Sequence, residues 1–369
     1  MTGAMYAAVA GLGAHMNAMN VIGNNVANVN TNAYKASRYV FKEELYTFVR
    51  NGSDGTNAKG GVNPGQIGYG CSVGSVDMDM STKNYDATGK PLDVVIDGDG
   101  FLMVGNKGET FDSLSAVKRL NLTRLGNLHF DSDGYLCDSE GNVVYGFLNI
   151  NTAGADGDFN RDTDLAVSPV LTAIRVPLVD TLGNPVYPLS GGTEGLPQVV
   201  DATTSPYENP DGGDEPEIAL NTQGQPARVV LSSLGISENG AITGVTQKGD
   251  TVVVGYLALA QVDNPNGVTH VDGHYYKAMG GAGDIHVTTV GGNVENLPED
   301  GAPEGMLDSP FAIESAGETV FRPNGLETSG TNLAKEITNM ILMQRGYQAN
   351  TRIITVTDSM LEELVNMKR

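Results

Sequence analysis

Four short stretches carry residue types that can do chemistry. HVDGH holds His270 and His274 at a spacing that would suit a metal if a helix aligned them. Gly273 between them and NPNG before them disfavour that helix, and His15, His129 and His286 are distant in sequence. They read as turn or surface histidines. DGDFNRDTDLAV (156–167) opens like a calcium loop with Asp156, Asp158 and Asn160. Arg161, however, stands where the turn needs glycine, and Val167 where a bidentate glutamate belongs, so a solvated acidic loop is the better reading. GYGCSVG (68–74) nears the glycine spacing of a dinucleotide loop but is followed by a strand-like SVDMDM, which offers a pyrophosphate no helix N-terminus. Cys71 as a nucleophile would need a histidine base, and none is near it in sequence. No fragment supports an enzyme, a metal or a cofactor.

The totals exclude further classes. The 369 residues are 40% hydrophobic, enough for two or three domains, and 48 glycines with 18% charged residues fit a turn-rich β protein. A net charge of −22 argues against nucleic acid, whose phosphates require clustered Lys and Arg. No apolar run reaches the length of a membrane span. The N-terminus lacks Lys or Arg before Lys35, so the charged region of a cleaved signal peptide is missing. Cys71 and Cys137 do not form a disulfide framework and are expected as free, partly buried thiols, with a pair left open.

The two ends differ from everything between them. Met5, Val9, Leu12, Met16, Met19 and Val26 recur at alternating steps of four and three, with Gly23 in the vacant place. This is a heptad seam. At the other end Leu333, Ile337, Met340, Gln344, Tyr347, Thr351, Ile354, Asp358, Leu361 and Val365 repeat the alternation, with Thr331 or Asn332 as N-cap and Lys368 and Arg369 suited to the C-terminal dipole. Gln344, Thr351 and Asp358 make alternate seam positions polar, which a dry two-stranded coil would not tolerate. That edge is expected to face water or a polar partner. Fully burying six apolar side chains on the first stripe is worth on the order of 10 kcal/mol, but only against a partner surface. Alone, a helix with Gly3, Gly11, Gly13 and Gly23 loses about 1 kcal/mol at each glycine and frays. Both ends are therefore expected to find each other and neighbouring subunits.

VIGNNVANVNTNAYKA (21–36) raises its own question, because asparagine competes with helical hydrogen bonds. Asn17, Asn20, Asn24 and Asn28 lie three or four apart and make one polar face, after which Asn30 and Asn32 break the helix. We read this run as a contact surface. Between the ends the pattern is β: LDVVIDGDGFLMVG reads as strand, turn, strand. GNLHFDSDGYLCDSEGNVVYGFL gives three strands broken at DSDG and SEGN, and GISENGAITGVTQKGDTVVVGYLALAQV repeats the idiom. The fold class is mainly β with an α-helical N/C-terminal pair, discontinuous β domains being nested between coiled-coil-like helices. The expected domains are a helical unit of 1–35 with 326–369, an irregular connector at 36–75, a β domain of 76–148 with 226–325, and an inserted outer β domain at 149–225.

With these residues assembled, a resemblance becomes specific. AAVAGLGAHMNAMNVIGNNVANVNTNAYKA resembles the opening motif of bacterial flagellar axial proteins of the rod and hook, through Asn24, Asn25, Ala27, Asn28, Thr31, Tyr34 and Lys35. The closing motif is matched by Gly325, Leu326, Glu327, Ser329, Asn332, Gln344, Arg345, Tyr347, Gln348, Asn350, Asp358, Leu361 and Leu364. LDVVIDGDGFLMV and GYLALAQVDNPNGV are similar to two of the group's inner segments, and VDTLGNPV (179–186) is similar to a hook-type fragment. The block around that fragment is otherwise unmatched, and the long loop 50–70 departs from the pattern. With such an insert the hook is the closer match within the group, and a distal rod or other hook–basal-body protein the alternative.

The resemblance implies a self-assembling helical tube in which paired terminal helices line an export channel and β domains lie outside. Partners would be further copies, the rod, hook-cap and hook–filament junction proteins, and the flagellar type III export apparatus, with no nucleic acid and no membrane insertion. The location would be the extracellular flagellum, reached without signal cleavage. Subunit-contact residues are then expected among Met5, Val9, Leu12, Met16, Met19, Asn24, Asn25, Val26 and Asn28. On the second helix they are Leu333, Ile337, Met340, Tyr347, Gln348, Asn350, Ile354, Leu361 and Val365, with Gln344, Thr351 and Asp358 facing the channel. A reading of another class, a secreted β enzyme or carbohydrate-binding module with helical dimerisation ends, predicts ligand binding by the middle region alone.

Overall fold

The computed structural model describes residues 2–55, 60–109, 111, 114–151, 165–168, 170–179, 185–187, 219–221, 227–290 and 313–367. The chain is mainly β with a helix at each end, and it divides into two units. The first joins Met1–Asp79 to Ser329–Arg369, and the second is Met80–Thr328.

In the first unit, Thr2–Ala27 and Leu333–Asn366 form long helices. Asn332 caps the second, accepting from the Lys335 N–H at 3.1 Å. The helices pack antiparallel, since Gly11 lies against Asn350 while Gly346 lies against His15. Small residues set that approach. A Cβ on Gly11 would stand 2.7 Å from the Asn350 amide, and one on Gly346 would stand 2.7 Å from the His15 ring. Ala8, Ala14, Ala18 and Ile22 complete the buried face of the first helix.

Residues 36–75, expected as an irregular connector, are instead largely a β ribbon. Ser37–Glu43 pairs antiparallel with Cys71–Met78, and Tyr46–Arg50 with Gly65–Gly68. The Glu44 N–H to Gly70 carbonyl bond and a Ser53–Val62 bridge extend the pairing between and beyond them. Alternating SRYVFKE and the β-branched residues of CSVGSVDM favour strands, and the glycine-, asparagine- and aspartate-rich run is confined near the tip.

The second unit is built on a large sheet whose centre is Thr251–Val262. That strand pairs with Ala241–Thr246, Val143–Asn151, Phe101–Gly105 and Ile285–Thr289, so it is buried on most of its length. The turns DSDG, SEGN, ENG and KGD fall where the pattern puts them, each with a glycine at positive φ: Gly134, Gly141, Gly240 and Gly249. Val94–Asp97 and Phe101–Gly105 are both strands but part company at Gly98 and Gly100, the former pairing with Val320–Pro323. Leu102, Val144, Ile174, Leu257, Leu259 and Phe321 lie in the core. Arg124 is buried beside it, donating to the carbonyls of Met80 (2.7 Å) and Gly98, and burial lowers its pKa.

The block at 149–225 lies mostly outside the described residues, as do Asp156, Asp158, Asn160 and the DTLGN fragment. Its described parts, Leu165–Val167 and Thr172–Ala173, pair with Val143–Asn151 in the same sheet.

Candidate assembly interface

The asparagine run ends the first helix by folding the chain back on itself. Asn25 is buried, and its amide grips the backbone of Ser37 from both sides: Nδ2 donates to the carbonyl at 2.8 Å and Oδ1 accepts the N–H at 3.0 Å. A primary amide offers a donor and an acceptor together, which a carboxylate or hydrocarbon cannot. Tyr34 donates its hydroxyl to Asn25 Oδ1 at 3.0 Å and accepts from Asn24 at 3.2 Å. Its pKa is raised, first by burial and then by the negative charge of Glu336. Asn28 donates to the Asn24 carbonyl at 3.0 Å and accepts from Thr31 at 3.1 Å, while its own carbonyl accepts from Ser329 at 2.8 Å. The Gly330 N–H closes the clasp on the Tyr34 carbonyl at 2.8 Å. The opening and closing motifs therefore meet in one hydrogen-bonded joint. The amides of Asn24, Asn25 and Asn28, expected as contacts between copies, have partners inside the chain; Asn25 is buried, while Asn24 is exposed.

The helix faces also differ from the seam in the sequence. On the first helix Val9 and Met16 are more than half exposed, while Met5, Leu12, Met19 and Val26 are partly buried. On the second, Met340, Asn350, Ile354 and Leu361 are partly buried, whereas Leu333, Ile337, Tyr347, Gln348 and Val365 are exposed. Gln344, Thr351 and Asp358 are exposed as well. The inner line also holds Glu336, Met343, Gly346 and Thr357, which the seam of large apolar residues missed. His15 Nδ1 lies 3.4 Å from the Met343 sulfur and its ring meets the edge of Phe41. The recurrent small residues Ala8, Gly11, Ala14 and Ala18 were the available signal, because small side chains permit close helix approach.

The residues considered for chemistry are not brought together. His270 packs edge-on against Tyr276, while His274 packs at a tilt against Tyr275 and lies 3.6 Å from Glu140. Among the described residues no three of His, Cys, Asp and Glu are grouped to hold a metal ion. Cys71 and Cys137 are free, and burial raises the pKa of Cys137. No helix among the described residues is long and apolar enough to cross a membrane.

The chain is mainly β, and its two terminal helices pack together in one unit with apolar side chains left exposed on them. Comparison with known proteins shows what the chain is similar to. Residues 5–35 match the model of the flagella basal body rod protein, and residues 323–367 that of the flagellar basal body rod FlgEFG protein C-terminal domain. The flagellar basal-body rod protein FlgG of Bacillus subtilis is 28% identical over 100% of both chains. The flagellar hook protein FlgE of Borreliella burgdorferi is 24% identical over 100% of both. The structure of Helicobacter pylori flagellar hook protein FlgE2 aligns with a TM-score of 0.32 at 11% identity, covering 66% of this chain and 100% of that one. Both ends of this chain are thus similar to those of the bacterial flagellar axial proteins of the rod and hook, and similarity to individual rod and hook proteins runs along its whole length.

Proposed function

We propose that the chain is a structural subunit that polymerises into a helical tube of the flagellar axis. One observation carries the reading: the two matched ends fold into a single unit that still exposes Tyr6, Val9, Met16, Ile353, Val356 and Met360. Apolar area left open on an ordered helix pair suits burial against further copies. A contact that does not close into a ring makes an open tube. Gln344, Thr351 and Asp358, exposed and polar along one edge, line the export channel in this reading. The outer β units slide past one another or lock, transmitting motor torque. Export follows the flagellar type III route, and the partners are rod, hook-cap and hook–filament junction proteins.

Two positions on the axis are open to such a subunit. The hook reading draws on the insert and on similarity to the Borreliella hook protein along the whole chain. The distal-rod reading draws on similarity to the Bacillus rod protein across 369 aligned residues, the length of this chain. The second is favoured, since the hook-type fragment at 179–186 is short. The test is electron microscopy of the purified chain at high concentration, where tubes are expected. Straight rigid tubes support the rod and curved flexible ones the hook. A chain lacking residues 330–369 should remain monomeric with its β structure intact; tubes from that truncation would sink the proposal. Leucine at positions 344, 351 and 358 should impair export through the tube, and unimpaired export would remove those residues from the channel.

A further inference from the structure

The C-terminal helix carries two exposed arginines, Arg345 and Arg352, seven residues apart and so on one face. The chain has twice as many acidic as basic residues, yet neither arginine has a carboxylate partner among the described residues. Arg345 donates to the Gln348 amide oxygen at 3.3 Å, a neutral acceptor one turn away. Both line a groove of about 590 Å³ together with Ala349, Ile353 and Val356. An apolar stripe continues from it through Met360, Leu364 and Met367, all exposed.

Beyond Val356 the same face reaches Glu363, with Glu362 beside it. The steps from Arg345 to Arg352 and from Arg352 to Glu363 are seven and eleven residues, each close to a whole number of turns. One line down the helix is therefore basic, then apolar, then acidic. Two such helices laid parallel match when one is displaced by eleven residues, about 16 Å, which sets Glu363 of one over Arg352 of the other. The displacement leaves a free basic groove at one end and a free acidic end at the other, so the contact repeats without closing.

We infer that the Arg345–Arg352 groove is a docking site for the acidic end of the C-terminal helix, Glu362 and Glu363, of a second copy of this chain. The inference rests on the assembly reading above and supplies its charged contact. Arginine suits the role because its guanidinium can take a carboxylate in a two-pronged bond.

The test is a charge swap in the full-length chain, read by sedimentation and electron microscopy, with helix content checked by circular dichroism. R345E/R352E and E362R/E363R should each raise the concentration needed for assembly about tenfold or more. The chain carrying all four changes should assemble close to wild type. R345Q/R352Q, which removes charge without reversing it, should fall between. Double variants that assemble like wild type would overturn the docking site while leaving the assembly reading intact. Blocked assembly without rescue in the quadruple variant would overturn Glu362 and Glu363 as the occupant. Closed dimers from wild type would replace the displaced contact by an antiparallel one. A wild-type chain that stays monomeric at all concentrations would bring down the assembly reading and the docking site together.

Discussion

The two units of this chain solve different physical problems with different materials. The unit of Met1–Asp79 and Ser329–Arg369 contains ten basic and nine acidic residues, whereas Met80–Thr328 contains twelve and thirty-five. Nearly all of the −22 net charge thus belongs to the β unit. The helical unit is close to neutral, and its first helix has no charged side chain at all. The β unit buries a dense core, with Leu102, Val144, Leu257, Leu259 and Phe321 fully enclosed. The helical unit buries Ala8, Ala14, Ala18 and Ile22 on its first helix and leaves many large apolar residues exposed. Charge keeps copies of a surface apart and neutrality lets them pack. On the assembly proposed above, the helical unit carries the association and the β unit carries the like charge.

Several measurements can break or sharpen that contrast. The largest effect is expected in the β core, where Phe321→Ala should destabilise the second unit by about 3–5 kcal/mol. Thermal unfolding followed by far-UV dichroism should show the β transition moving and the helical signal staying. A single transition moving as a whole would join what the contrast separates.

In the helical unit, Asn25→Ala should cost about 1–3 kcal/mol for each backbone group of Ser37 left buried without a partner. Asn25→Asp should retain the N–H contact and lose the other. Proteolysis near residues 30–37 provides the readout. Gly346→Val should cost about 1–3 kcal/mol, because the added carbon meets the His15 ring. His15→Ala in the same chain should recover much of that loss. If it does not, the strain lies elsewhere on the helix.

Salt tests the charge partition directly. Raising ionic strength from about 0.01 M to 0.15 M shortens the Debye length from about 30 to 8 Å. Assembly should strengthen over that range as the β units cease to repel one another. Assembly that weakens with salt would show ion pairs, rather than repulsion, dominating between copies.

The smallest effect concerns His286, which bridges Asp263 at 3.0 Å and Glu314 at 3.3 Å. Asp263 is the main cause of its raised pKa, with Glu314 adding to it and burial opposing. A value raised in the folded state gives stability fully present below the ordinary 6.5 and lost as pH rises through the folded value. His286→Gln should therefore lose a small increment at acidic pH and almost none at alkaline pH. Urea midpoints on both sides of that window would reveal it, and equal losses at both would remove the charge from the explanation.

Much of this arrangement was legible without coordinates. Period-two runs punctuated by DSDG, SEGN, ENG and KGD located the strands of the β unit, because a glycine at positive φ is a local requirement. The heptad alternation located both helices, and Thr331 or Asn332 the start of the second, where Asn332 is the cap. The packed face was less legible. Large apolar residues mark where burial is profitable in general, but on this helix pair many of them stay exposed, and the closest approach is set by glycine.

The sequence by itself determined the mainly β class, the two terminal helices, the uneven charge and, through two motifs, the resemblance to flagellar axial proteins. These are properties of neighbouring residues, of period and of composition. Tertiary structure alone decided that the asparagines form an internal clasp, since Asn25 and Ser37 are twelve residues apart and Asn28 and Ser329 are 301. It likewise decided that the connector is a paired ribbon and that two arginines lack a carboxylate neighbour among the described residues. A hydrogen-bond partner far along the chain leaves no periodic trace, and a helix face acquires an inside only when a second helix arrives.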